Sequence, residues 1–228
     1  MLKSIFFSRD DQDHFAITSL ERGRKAIQEK SFESEIIPVT IKTRQGDIVI
    51  DTDEHPHSVK PEKIPQLPPA FLEGGTVTAA NSCSIADGAA ALVVMQLKTA
   101  EKNGIKPLAR IVQHSCYSKS PDQFTTAPID AIKVLLQKIS WTIDQVDLFE
   151  INEAFSVVTL AAMRDLKIPH EKLNIHGGGC ALGHPIGATG ARIIVTLIAA
   201  MQKYNLKRGV ASLCIGGGEA TAIAVELL

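Results

Sequence analysis

The 228-residue sequence has few aromatic residues and almost no excess of charge. Phe, Trp and Tyr together make up 5% of it, and the formal net charge is −1 at pH 7. Proteins that bind nucleic acid through its phosphates carry a basic face, which this charge balance argues against. No apolar run approaches the roughly 18 residues that a membrane-spanning helix needs. We therefore expect neither nucleic acid nor a membrane as a partner.

Cysteine is also scarce, and its spacing excludes the common metal and redox motifs. The four cysteines include neither a CxxC pair nor a zinc-binding pattern. Thiols without such partners are typical of proteins in a reducing compartment. We therefore expect reduced cysteines and a cytoplasmic location. The residues concerned are Cys83, Cys116, Cys180 and Cys214.

Glycine, by contrast, is concentrated in residues 176–192, around a single Gly-His-Pro step. Six glycines stand in this segment, HGGGCALGHPIGATGAR, which precedes the apolar run IIVTLIAAM. Glycine at this density is costly unless the backbone takes positive φ or approaches a ligand closely. Because Gly and Pro hold His184 in place, this histidine is suited to proton transfer. The alternative is a tight turn with a surface histidine; the phosphate-binding patterns GxxxxGK[ST] and GxGxxG are both missing.

Local signals predict the first elements of the chain. Ser8 and Asp11 have the spacing of a capping box and predict a helix over residues 9–30. Two short strands are predicted on either side of the turn Gln45-Gly46. Both predictions depend only on residues close together in sequence.

The next segment is rich in proline and mixed charge, which predicts irregular structure over residues 51–69. His55 and His57 lie there, and we interpret them as solvated because no thiol or carboxylate pattern completes a metal site. From Gly74 the pattern predicts a strand, a polar turn and a buried element rich in Ala and Val, ending near residue 104.

After about Ile105, strand and helix patterns alternate, which is typical of a layered α/β protein. The predicted order is strand KPLARIVQHSCYS, helix PIDAIKVLLQKI, strand VDLFEINE, helix EAFSVVTLAAMRDL, strand LNIHGG, helix ARIIVTLIAAMQKY and two closing strands, GVASLCIGGG and ATAIAVELL.

Three polar residues stand near the ends of predicted strands: Asn152, His184 and Cys214. Ligands of open α/β sheets collect at the carboxyl ends of strands, so these side chains are candidates for one acid/base pocket. Each has a simpler explanation. Cys214 alone is more often a core residue, and Asn152 alone is a helix N-cap. The glycines after Cys214 are also compatible with a hairpin turn.

Four separated motifs resemble the thiolase family: GTVTAANSCSIADGAAALV, NEAF, GGGCALGHPIGATGAR and CIGGGEATAIAVE. The resemblance extends over residues 8–228 and is nearest to the acetoacetyl-CoA thiolases (acetyl-CoA C-acetyltransferases). It implies an α/β thiolase fold, consisting of the layered C-terminal βαβαβαββ half with part of the loop domain. It also implies coenzyme A thioesters as substrates, with no separate cofactor and no metal.

In thiolases one cysteine is acylated and a second exchanges a proton with the acyl-CoA. The resemblance implies that His184 activates the nucleophilic cysteine, Cys214 is the acid/base thiol and Asn152 holds a water in an oxyanion hole. Such a site needs a base and anion-stabilising donors because the condensing thioesters pass through an enolate. Cys180 and His176 are interpreted as structural. Contact with substrate or coenzyme A is implied for Phe71, Cys83, Ala154 and Phe155.

The chain also departs from the family pattern. It begins inside the loop domain, so we expect the front half with the nucleophilic cysteine to be missing. The expected division is a partial loop domain over residues 1–85, the last segment of the otherwise absent N-terminal domain over 86–104, and the C-terminal domain over 105–228. Residues 86–104 would then expose apolar surface. Cys83 replaces a family Ser and Ala86 replaces a family Asn, and both changes remove hydrogen-bonding groups.

The sequence therefore predicts an acyltransferase that condenses two acetyl-CoA to acetoacetyl-CoA and CoA, or catalyses the reverse thiolysis. We expect this chain to be inactive unless a partner supplies the nucleophile. That partner is a complementing N-terminal thiolase half, and homo-oligomerisation is the other expected association. A non-catalytic remnant that binds coenzyme A is the alternative function. A ketoacyl synthase would share the fold, but the Gly-His-Pro and CIGGG motifs favour a thiolase.

Overall fold

The computed structural model describes residues 7–228, so the first six residues of the predicted loop-domain segment lie outside it. Within these residues, none of the helices combines the length and hydropathy needed to cross a bilayer. Short 3₁₀ helices cover Pro61–Gln66, Pro121–Thr126, Ile143–Gln145 and His170–Lys172. The main elements, in order, are α1 (Arg9–Gln28), β1 (Val39–Thr43), β2 (Gly46–Ile50), α2 (His55–Ser58), α3 (Leu97–Lys102), β3 (Ala109–Ser118), α4 (Ala127–Ile139), β4 (Leu148–Ile151), α5 (Ser156–Leu166), α6 (Gly179–Leu182), α7 (Thr189–Lys203), β5 (Arg208–Cys214) and β6 (Glu219–Leu227).

Both predictions from local signals are confirmed. The Ser8 side chain accepts from the Asp11 amide, and the Asp11 carboxylate accepts from the Ser8 amide, so the capping box starts α1. Helix α1 ends two residues before the predicted limit and buries Phe15 and Leu20. Strands β1 and β2 form an antiparallel hairpin, with Gly46 at a φ of 122° in its turn.

The C-terminal part is a four-stranded sheet covered by helices on both faces. The strand order is β3-β6-β5-β4; β4 and β5 are parallel and the other pairs are antiparallel. Because side chains alternate along a strand, neighbouring residues enter different cores. Phe149 and Val210 pack with the α4–α5 side, whereas Leu148 and Ala211 pack with α7. This confirms the predicted layered α/β arrangement.

The predicted strand LNIHGG is wrong as a strand, because only Leu173 pairs, in parallel, with Phe149. The following residue, Asn174, has a φ of 45° and turns the chain away. Its side chain accepts from the Ile151 amide and donates to the Ile151 carbonyl, each at 2.8 Å. One amide side chain thus replaces the next ladder step. The order βαβαβαββ is kept, with its third strand reduced to a single bridge.

The prediction for residues 74–104 is also wrong. Only isolated β-bridges, at Ser82 and Ile85, form there, and the Ala- and Val-rich part is irregular and exposed up to α3. Ile85 is 96% exposed and Val93 is 88% exposed. The apolar pattern therefore has no packing partner within residues 7–228. Exposure of this apolar segment agrees with the expectation drawn from the thiolase resemblance.

Residues 51–69 hold two short helices rather than wholly irregular chain. His57 is exposed as expected, but His55 is half-buried, and its Nδ1 lies 2.8 Å from the Ala181 carbonyl oxygen. Within the part of the chain that the structure describes, no group of three or more His, Cys, Asp or Glu side chains is placed to hold a metal ion. The interpretation of His55 as solvated is therefore corrected to a packed histidine.

Candidate active site

Two of the three candidate catalytic residues stand at the carboxyl ends of neighbouring strands. Asn152 directly follows β4, and Cys214 is the last residue of the adjacent parallel strand β5. The backbone N–H of Asn152 extends this pairing by donating to the Ser212 carbonyl at 2.9 Å. The carboxyl ends of parallel neighbours meet at the same edge of a sheet, which explains this proximity.

The side-chain amide of Asn152 is buried and makes no hydrogen bond to the residues that the structure describes. The residue is 1% exposed, and within residues 7–228 neither Oδ1 nor Nδ2 has a hydrogen-bond partner. Helix α5 begins only at Ser156, with Phe155 as its N-cap, so the simpler explanation of Asn152 as an N-cap is wrong. Buried polar groups are almost always paired in native proteins. This amide is therefore free to hold a water or a substrate oxygen.

His184 is held on both its backbone and its ring. Its amide donates to the Ser84 carbonyl at 2.9 Å, and its Nδ1 lies 2.6 Å from Thr189 Oγ1. Within residues 7–228, Nε2 makes no hydrogen bond. Burial, and secondarily the positive charge of Arg192, lower the pKa of His184. The ring is therefore neutral near pH 7, with one nitrogen available as a base.

Residues 82–85 connect the histidine to the strand ends. Ser82 forms a bridge with Phe155, and Ile85 forms one with His184. Cys83 thus lies between the Asn-Glu-Ala-Phe turn and the Gly-His-Pro turn, and its amide donates to the Ala154 carbonyl at 3.1 Å. A Cβ on Gly179 would lie 3.3 Å from Asn152 Oδ1 and 3.4 Å from Cys83 Cβ. Glycine at that position keeps the space between these two side chains open.

The thiols at the site are protonated. Burial raises the pKa of Cys214 to about 12, and the nearby Cys83 thiol contributes in the same direction. Burial also raises the pKa of Cys83, and it raises that of Cys180 well above its usual range. None of these cysteines is a ready thiolate nucleophile at neutral pH. Cys214 is instead in the state that donates a proton.

The residues assigned to substrate contact form a group beside this edge. Phe71 is 73% exposed and packs edge-on against Phe155, with ring centroids 6.0 Å apart. Phe155 in turn packs against Phe124 at 6.1 Å. Because Cys83 bonds to the Ala154 backbone, all four predicted contact residues are connected.

Sequence reasoning missed the role of Glu153. Its carboxylate is buried and accepts hydrogen bonds from Ser19 Oγ at 2.7 Å, Asn174 Nδ2 at 2.8 Å and the Cys180 amide at 3.0 Å. Burial raises its pKa, and these bonds partly offset that. A Cβ on Gly178 would lie 2.6 Å from Glu153 Oε1, which accounts for one of the predicted close approaches. No local signal reveals this role, because the partners are distant in sequence.

Two concave surfaces flank the site. A cavity of about 390 Å³ lies between α1, residues 55–67 and Cys180; Leu20 and Ile64 line it, as do the cationic Lys60 and Lys63. A more open groove of about 420 Å³ runs beside the Gly-His-Pro turn, lined by residues 86–90 and 185–188. Neither surface is predicted from the sequence patterns.

Comparison with known proteins decides the family. The family described as "Thiolase, C-terminal domain" matches residues 105–227, and the one described as "Thiolase, N-terminal domain" matches residues 1–98. The chain belongs to the thiolase family. An acetyl-CoA acetyltransferase of Syntrophomonas wolfei is 47% identical over 97% of this thiolase chain and 56% of its own length. The cytosolic acetyl-CoA acetyltransferase of Mus musculus is 45% identical, over 96% of this chain and 56% of its own length.

Solved structures confirm the thiolase fold. The acetyl-CoA acetyltransferase of Bacillus anthracis superposes with a TM-score of 0.94 at 43% identity, over 97% of this chain and 57% of that one. The Acat5 thiolase of Ascaris suum, solved in complex with coenzyme A, gives a TM-score of 0.85 at 37% identity, covering 97% and 56% of the two chains. This thiolase chain therefore spans little more than half the length of the relatives it matches. Its family is one of acyltransferase enzymes.

Proposed function

We propose that this thiolase chain provides the acid/base half of an acetyl-CoA acetyltransferase site. The observation that carries the proposal is that Asn152, with its unused buried side-chain amide, and Cys214 stand at the carboxyl ends of the adjacent parallel strands β4 and β5. His184, connected to this edge through residues 82–85, supplies a neutral base. The reaction is the condensation of two acetyl-CoA or the reverse thiolysis of acetoacetyl-CoA.

In the thiolysis direction, His184 Nε2 accepts the proton of a nucleophilic cysteine, whose sulfur bonds to the 3-keto carbon of acetoacetyl-CoA. The bond between carbons 2 and 3 breaks, leaving the acetyl-cysteine and the enolate of acetyl-CoA. Cys214 donates its proton to carbon 2 of that enolate, and the Asn152 amide stabilises a developing oxyanion through a water. A pKa of Cys214 near 12 keeps that proton available. The thiol of coenzyme A then gives its proton to the Cys214 thiolate, and its sulfur bonds to the acetyl carbon as the bond from that carbon to the cysteine breaks. This releases the second acetyl-CoA, and the freed cysteine regains its proton from His184.

We propose that the nucleophilic cysteine comes from an N-terminal thiolase half, within a longer form of the protein or on a separate chain. Two observations support this. The relatives are nearly twice the matched length, and the chain that lines the groove beside His184 leads on to exposed apolar side chains, those of Leu92, Val93, Val94, Met95 and Leu97. Such a half would cover that surface and bring its cysteine to His184.

The group formed by Phe71, Phe155, Ala154 and Cys83 supports acyl-CoA as the substrate class. Phe71 is 73% exposed and packs against Phe155, which offers an apolar surface to a pantetheine arm. Cys83 and Ala86, where the family has Ser and Asn, weaken polar contact to the arm. These two replacements favour the second candidate function, a coenzyme A-binding thiolase remnant without turnover.

The test compares the chain alone with a mixture of the chain and the front half of the Syntrophomonas wolfei relative. Thiolysis of acetoacetyl-CoA is expected only in the mixture, and His184→Asn is expected to lower it by about 10²-fold or more, the contribution of a general base. His57→Asn, at an exposed histidine, should leave it unchanged. Calorimetric titration with coenzyme A separates the alternatives: binding without turnover in any mixture supports the remnant, and neither binding nor turnover refutes both.

A further inference from the structure

We propose that Thr189 is a positioning residue that sets the tautomer of His184, so that the proton is on Nδ1 and Nε2 is the base. The inference rests on the proposed function for its catalytic meaning, but the tautomer itself can be measured without turnover.

The geometry concerns one hydroxyl group with two neighbours. Thr189 Oγ1 lies 2.6 Å from His184 Nδ1 and 3.0 Å from the Pro185 carbonyl oxygen. A carbonyl oxygen only accepts, so the bond to Pro185 uses the single hydrogen of the threonine hydroxyl. The contact to Nδ1 then needs its hydrogen from the imidazole. Both bonds exist together only when Nδ1 is protonated.

The position of Thr189 makes this arrangement rigid. It is the first residue of α7, is fully buried, and its amide also donates to the Pro185 carbonyl at 3.0 Å. The hydroxyl is therefore shielded from solvent and held between its two neighbours. On the other side, the His184 amide is tied to the Ser84 carbonyl. The histidine is fixed at both its backbone and its ring.

The chemical consequence follows from the hydrogen-bonding groups of the imidazole ring. A neutral ring has one donor nitrogen and one acceptor nitrogen. Fixing the hydrogen on Nδ1 leaves the lone pair on Nε2, which makes no hydrogen bond within residues 7–228. With the opposite tautomer, Nε2 would be a donor and could not accept the proton of a cysteine thiol. In the serine-protease triad, a partner of Nδ1 acts in the same way.

The test is nuclear magnetic resonance of the full chain with ¹⁵N-labelled histidine, and His184→Asn assigns the signals. In the wild type above the pKa of His184, Nδ1 should show the shift of a protonated nitrogen and Nε2 that of an unprotonated one. Thr189→Val, of nearly the same shape, should move the population toward Nε2–H, whereas Thr189→Ser should retain the wild-type signature. Thr196 is another buried threonine of α7, so Thr196→Val controls for the loss of a hydroxyl. It should leave the ¹⁵N signals of His184 unchanged.

Activity of the chain complemented by a thiolase front half gives a second readout. Thr189→Val should lower kcat by about tenfold or more with little change in KM, and by no more than the roughly 10²–10⁴-fold that a general base contributes as a whole. Thr189→Ser should restore kcat. Protonation of Nε2 in the wild type overturns the proposal. An unchanged signature in Thr189→Val overturns it as well. If Thr189→Val does not fold, the wild-type and Thr189→Ser spectra decide. Loss of activity in every mixture refutes the proposed function but leaves the tautomer result standing.

Discussion

Ser19 and Glu153 are separated by 134 positions in the sequence, yet Ser19 Oγ donates to Glu153 Oε2 at 2.7 Å in a buried contact. The same hydroxyl accepts from the Gly178 amide at 3.0 Å. One serine thus ties α1 to the turn after β4 and to the start of the glycine-rich segment. Glu153 lies between Asn152 and Ala154, so this contact also supports the candidate site.

Replacing this serine should destabilise the whole chain. Ser19→Ala leaves the Gly178 amide without a partner and removes one of the two hydrogen bonds to Glu153 Oε2, and an unpaired buried group costs about 1–3 kcal/mol. Urea unfolding followed by circular dichroism measures the loss. Thr18→Ala, one residue earlier on the less buried side of α1, should change the free energy of unfolding by no more than about 0.5 kcal/mol. Equal effects of the two substitutions would contradict this role.

The Ser19–Glu153 contact also marks where sequence reasoning ends. The capping box of α1 and the β1–β2 turn were predictable because Ser8, Asp11 and Gln45-Gly46 act on their immediate neighbours. Strand alternation predicted Asn152 and Cys214 at strand ends. The glycine cluster predicted close approach, but its partner, Glu153, was not visible from the pattern.

Two failures have the same physical origin. The element predicted at 74–104 has a buried-type pattern, but burial depends on what packs against it, which the pattern does not contain. The strand predicted at LNIHGG ends after one bridge, because the Asn174 side chain takes the backbone bonds of Ile151. Tertiary partners overrode local preference in both segments.

The thiol of Cys214 should react slowly with alkylating agents. It is 8% exposed and its pKa is raised to about 12, so little thiolate exists near pH 8. Cys116 is exposed and should be modified first by iodoacetamide. Peptide mass spectrometry over a time course gives both rates, and alkylation in urea controls for intrinsic differences between the peptides. Equal rates in the folded chain would show that Cys214 is accessible and ionised.

His176 should make the chain less stable in mild acid. Burial, and secondarily Lys203, lower the pKa of His176 from 6.5 to about 4. The unfolded chain then binds the extra proton between those values, so this contribution to stability is lost as the pH falls from about 6.5 to about 4. His176→Phe keeps a ring beside Phe32 and should reduce that loss of stability by about 1 kcal/mol. This is less than the full pKa shift would give, because solvent screens the charge of the exposed Lys203.

Urea unfolding at pH 4.5 and pH 7 measures this difference for each variant. His57→Gln removes an exposed histidine and should retain the wild-type dependence. If His176→Phe keeps the wild-type pH dependence of the free energy of unfolding, another group causes the loss of stability in acid.

Glu150 should have the opposite effect on the pH dependence of stability. Burial raises its pKa from 4.5 to about 8; Arg192 opposes this, and Glu153 and Glu35 add to it. The folded chain therefore binds more protons than the unfolded chain between those values, and stability falls as the pH rises from about 4.5 to about 8. Glu150→Gln imitates the protonated carboxyl and should stabilise the chain at pH 8 relative to pH 5 by about 1 kcal/mol or more, roughly one pKa unit. Glu171→Gln makes the same charge change at an exposed position and should show no such gain. If Glu150→Gln instead destabilises the chain equally at both pH values, the Glu150 carboxyl is not the group whose ionisation opposes folding.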